Sequence, residues 1–104
     1  MDKNLSALTE KVLKSMSILE KWQAEMRKEN DQASEEYLML IELMDECAKA
    51  LLIIANISEV SPLIPPEHRE AYDNAAKVDI ANIKSLEQSI YMANLNKGFQ
   101  ESIA

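Results

Sequence analysis

The sequence predicts an all-α protein: a helical hairpin followed by a third long helix, three-helix bundle-like and self-associating. Three observations predict it. Among 104 residues there are one Gly and three Pro, too few to supply the tight turns that a sheet needs. Aromatic residues are scarce, so Leu, Ile, Met and Ala carry the apolar mass, a composition suited to helix-on-helix packing. Apolar residues also recur at helical spacing in three long segments, within what the length marks as a single domain, 1–104.

The first segment spans about 2–29. Leu5, Val12, Leu19 and Met26 stand seven apart, with Leu8, Met16 and Trp22 on the same side and Lys and Glu opposite. Glu10 and Lys14 add a pair at favourable helical spacing. Asp2, Asn4 or Ser6 is placed to cap its start. Residues 28–34, KENDQAS, form the expected corner: Asn30 and Asp31 favour turns, and Ser34 ahead of Glu35 and Glu36 has the pattern of an N-cap with an acidic first turn. With no Gly or Pro here, one continuous helix of about 80 Å is the alternative. The hairpin is preferred because it buries both apolar faces.

The second segment, about 35–56, is apolar nearly all round except for a stripe of Glu42, Asp45, Glu46, Lys49 and Asn56. Such a helix needs neighbours on several sides, and two helices of one chain do not suffice, so a homo-oligomer is expected. Pro62, Pro65 and Pro66 end it, with Pro66 or Glu67 opening the next helix. The third segment, about 66–97, carries Tyr72, Ala76, Ile80, Ile83, Leu86, Ile90 and Ala93 as its stripe. Gly98 is the expected residue just past its end, with Phe99 folding back over it.

The net charge of −7 disfavours a DNA or RNA duplex as partner, since the field of the chain repels phosphates. Cys47 is alone within an apolar run and reads as a small buried side chain. The N-terminal residues lack an apolar signal core, and the longest apolar run, 50–55, is too short to span a bilayer. A cytoplasmic protein without membrane partners is expected.

Catalytic chemistry is sparse. One His and one Cys do not build a zinc site, one Gly does not build a phosphate loop, and His68 beside Pro65-Pro66 reads as a solvated first-turn residue. No metal, no cofactor and no catalytic set are expected. The one enzyme-like pattern is Glu42 with Asp45, followed by an apolar run. It resembles the acidic pair of MazG-type nucleotide pyrophosphohydrolases, which also need a Glu-x-x-Glu pair one helix upstream. Glu20, Glu25 and Glu29 do not supply that spacing.

Residues 85–94, SLEQSIYMAN, continue the helical stripe through Leu86, Ile90 and Ala93. With Pro65, Pro66, Arg69 and Glu70 upstream, the run Leu86-Glu87-Gln88-Ser89 and Tyr91-Met92-Ala93-Asn94 resembles the closing helix of small phage proteins. These are the helical sponges that sequester the cyclic oligonucleotide signals of CBASS immunity. Here the spacer from Arg69 to Leu86 is longer than the family's, Ser89 replaces its alanine and Met92 stands where tryptophan is common. The resemblance implies a non-enzymatic oligomer that sequesters a small anionic ligand, cyclic di- or trinucleotides, in counter-defence. It implies Arg69, in the first turn after the prolines, as the phosphate ligand, with Lys84 as a second cation and Tyr91 or Tyr72 stacking on a base. A small helical inhibitor or adaptor that receives a protein partner on an apolar face is the alternative function.

Overall fold

In a computed structural model the chain forms α1 (Lys3–Lys28), α2 (Glu35–Val60) and α3 (Arg69–Ile103). Single 3₁₀ turns at Ser61–Leu63 and Pro66–His68 join the last two. The structure describes residues 3–30 and 33–103, with side chains described for 4–30 and 33–96. Asp2, named as a capping residue, lies outside them.

The hairpin forms as expected. The Glu29 N–H donates to the Glu25 carbonyl at 3.2 Å and the Asn30 N–H to that of Arg27 at 3.1 Å. Asn30 then adopts φ 57, the left-handed conformation that ends a helix and that Asn tolerates better than most residues. Across the corner, the Ser34 hydroxyl accepts from the Tyr37 N–H at 3.1 Å and caps α2. A clip ties the two helices at this end: Arg27 Nε and Gln23 Nε2 both donate to the Tyr37 phenol oxygen, at 3.2 and 3.3 Å.

The core lies along this hairpin. Leu5, Leu8, Val12 and Leu19 of α1 meet Leu40, Cys47, Ala50, Ile54 and Ile57 of α2, and Ile83 and Ile90 of α3 close the third side. The one buried polar side chain among the described residues, Ser15, donates its hydroxyl back to the Lys11 carbonyl at 3.1 Å, so nothing polar is stranded. No described helix is long and apolar enough to cross a membrane.

Three boundaries differ from expectation. The second helix continues past Asn56 to Val60, because Pro62 falls in a 3₁₀ first turn, where its missing N–H has no role. The third starts as α-helix at Arg69 and runs through Gly98 to Ile103, with no glycine at positive φ. An interior Gly costs a helix about 1 kcal/mol relative to Ala, a penalty that weakens it locally without ending it. The placement of the Phe99 side chain lies outside the described residues.

Candidate functional site

Arg69 sits where α2 hands over to α3. Pro65 is extended (φ −60, ψ 151), and Pro66 starts the turn that leads into α3. The Arg69 guanidinium reaches back across this reversal. Its Nη1 donates to Ser61 Oγ at 3.0 Å, and its Nη2 to the carbonyls of Ser61 at 2.6 Å and Ile64 at 3.3 Å. Asp73, one turn on, sits 3.6 Å from Nη1. The planar fork is thereby committed to the ends of two helices, and its charge already faces a carboxylate.

Lys84 and Tyr91 stand seven apart on α3, about 10 Å along one face. Arg69 is 22 positions before Tyr91, about 33 Å away along the helix. One small ligand does not span both, so the three sequence-nominated residues split into a corner residue and a pair.

Tyr91 belongs to a groove between α1 and α3. The groove encloses about 300 Å³ and is lined by Lys11, Lys14, Ser15 and Ile18 with Glu87 and Tyr91. Tyr91 is 52% exposed, so its ring is available from the groove's open side. Lys11, Lys14 and Glu87 make no ion pair among the described contacts. Two ammonium groups, a phenol ring and one carboxylate over an apolar floor can hold an aromatic anion that also offers a hydrogen-bond donor. Lys84 lies one turn before Glu87 and outside the lining. The sequence reading did not nominate Lys11 or Lys14 as ligand residues; it gave Lys14 only a helical pairing with Glu10, which is not among the described ion pairs. Their only shared signal was a position three apart on the flank of the α1 stripe, and only the packing of α3 gives that flank a partner.

A second cavity, also about 300 Å³, opens beside the Arg69 corner. Leu5, Ile57, Tyr72, Ala76 and Ile80 make it apolar, with Asp73 and Lys77 at its polar edge. Tyr72 thus lies in the chain's apolar seam near the corner, far from the Tyr91 groove.

On α2, Asp45 accepts from Lys49 at 3.0 Å, which holds the ammonium above its usual range through that hydrogen bond and the carboxylate's charge. Glu42 is exposed on the same helix. Among the described residues no three or more His, Cys, Asp or Glu side chains come together to hold a metal. At the hairpin end, the Arg27 and Gln23 hydrogen bonds draw the Tyr37 phenol below its ordinary range. Burial pushes the Cys47 thiol up, with a smaller contribution from Glu46. No known protein family, curated protein or solved structure matches this chain.

Proposed function

We propose that this chain is a self-associating, non-enzymatic helical protein that binds and sequesters a small anionic ligand between α1 and α3. The observation that carries the reading is the groove in which Lys11 and Lys14 face Tyr91 and Glu87. Lysine ammoniums are point charges suited to phosphate oxygens. A half-exposed tyrosine offers a stacking surface that accepts any base. Glu87 then selects for a ligand with an amino or imino donor and against a bare polyanion. A volume of about 300 Å³ is at the lower end of small-molecule sites, enough for a base and its nearest phosphate. The resemblance of the closing helix supplies the ligand class, cyclic di- or trinucleotides, and the counter-defence role. In this reading Arg69 builds the corner, and Lys84 adds charge near the mouth of the groove.

The test is a thermal-unfolding screen with cyclic dinucleotides, cyclic trinucleotides and linear nucleotides. Ligand at one hundred times its dissociation constant stabilises a binder by about 2.7 kcal/mol. Each kcal/mol moves the midpoint of a domain this size by about 4–8 °C. The reading expects a shift with cyclic species that disappears in Tyr91→Ala and in the Lys11→Gln/Lys14→Gln double variant. A flat panel sinks it.

The exposed Leu38, Met39 and Ile41 on α2 favour a second reading, the helical adaptor that receives a partner helix. A flat panel together with a strictly monomeric chain would favour that one.

A further inference from the structure

Six outward positions of α2 follow the spacing three, four, three, four, three: Leu38, Ile41, Asp45, Ala48, Leu52 and Ala55. All six are exposed, Leu38 at 57% and Leu52 at 71%. This is the seam spacing of paired helices that cross at a shallow angle. Among the described residues nothing covers it: the core takes the opposite side of α2, through Leu40, Cys47, Ala50, Ile54 and Ile57.

The stripe reads the same from either end, which points to a second copy as its cover, and the area of the chain leaves room for one. A compact monomer of 11.8 kDa exposes about 5,900 Å². This chain, 56 Å long and 18 Å thick, exposes 7519 Å². The surplus, 7519 less about 5,900, is about 1,600 Å², twice the roughly 800 Å² that each partner gives to a stable interface.

We infer that a second copy of this chain docks antiparallel on the outward face of α2, about a two-fold axis passing between Glu46 and Cys47. The inference rests on the self-association reading and names its surface. The stripe is self-complementary about that point: Leu38 meets the partner's Ala55, Ile41 meets the partner's Leu52, and Asp45 meets the partner's Ala48. Asp45 enters already matched by Lys49 at 3.0 Å, beside a residue small enough to leave the pair room. Glu42 and Lys49 flank the seam on one side, and the antiparallel arrangement brings each Glu42 beside the partner's Lys49. A parallel arrangement stacks Asp45 on Asp45 and separates Glu42 from the partner's Lys49, so charge decides the direction. The interface is isologous and closes at two copies.

Light scattering on the full chain tests it. The expected mass is twice 11.8 kDa. Leu52→Glu halves that mass while the helical circular-dichroism signal stays, since Leu52 contributes nothing to the core. Leu13→Glu, a control at a 51% exposed position on α1, leaves it unchanged. Direction is read by oxidative cross-linking with Cys47 replaced by Ala: an equimolar mixture of Ile41→Cys and Leu52→Cys chains forms a covalent dimer, and neither variant does alone. A dimer that survives Leu52→Glu, or either variant cross-linking by itself, overturns this interface and leaves self-association standing. A single-chain mass at every concentration overturns both.

Discussion

Arg69 carries four interactions within one turn of chain reversal, so its removal is felt at the corner and not in the groove. Arg69→Ala leaves the Ile64 carbonyl without its donor and the Ser61 carbonyl with the Ile64 N–H alone. Charged hydrogen bonds contribute about 1.5–3 kcal/mol each when buried. With this side chain 38% exposed, solvent screening reduces the sum to about 1–2 kcal/mol. Urea unfolding should show that loss, with Arg69→Lys recovering only part because an ammonium has no fork. Ligand binding in the Tyr91 groove, about 33 Å along α3, should be untouched. Cys47 gives a second residue-scale expectation. Its thiol is 1% exposed and its pKa is raised by burial and by Glu46. The neutral thiol is the form that the fold favours, so its contribution is complete below the ordinary thiol pKa of about 8.5 and is lost as pH rises through the raised folded value. Native protein at pH 8 should resist iodoacetamide, and unfolding in urea should restore ordinary labelling.

At the scale of elements, the corner between α1 and α2 holds through two short-range devices, the left-handed Asn30 and the Ser34 cap. Ser34→Ala should cost about 1 kcal/mol in chemical unfolding. Asn30→Gly should cost nothing, since Gly enters positive φ freely, whereas Asn30→Val should be clearly destabilising. Both devices were legible in the sequence because their signals are local: residue types that favour a conformation within their own turn. The far ends of α2 and α3 were not. Pro62 ends α2 but leaves the residues up to Val60 free to stay helical, and Gly98 is a penalty of about 1 kcal/mol that α3 runs through because its neighbours still favour helix. The candidate site divides the same way. Lys84 and Tyr91 share a face by helical spacing alone, which a sequence displays. Lys11 and Lys14 meet Tyr91 only through the packing of α3 along α1, and the inward turn of Arg69 exists only once the chain has reversed at Pro65 and Pro66. Neither is written in any local pattern.

At the scale of the whole molecule, two features pull against each other: the exposed apolar side chains of α2, among them Leu38, Ile41 and Leu52, and a net charge of −7 on each copy. Apolar burial favours pairing at any ionic strength, while like net charges oppose it most in dilute salt, where the Debye length is long. The flanking Glu42–Lys49 contacts act the other way, but exposed pairs contribute only about 0–1 kcal/mol each. Net repulsion is therefore the larger salt-dependent effect, and pairing should tighten as salt rises from about 10 mM to 150 mM, over which the Debye length falls from about 30 to 8 Å. Because unfolding of a pair releases two chains, its midpoint depends on protein concentration. With about 0.7 kcal/mol of unfolding enthalpy per residue over two chains, a tenfold rise in concentration should raise the midpoint by about 3 °C. Differential scanning fluorimetry across two decades of concentration, at low and at moderate salt, measures both effects. Leu52→Glu should flatten the concentration dependence, and a midpoint in the native sequence that ignores concentration would show that the outward face of α2 stays open to solvent.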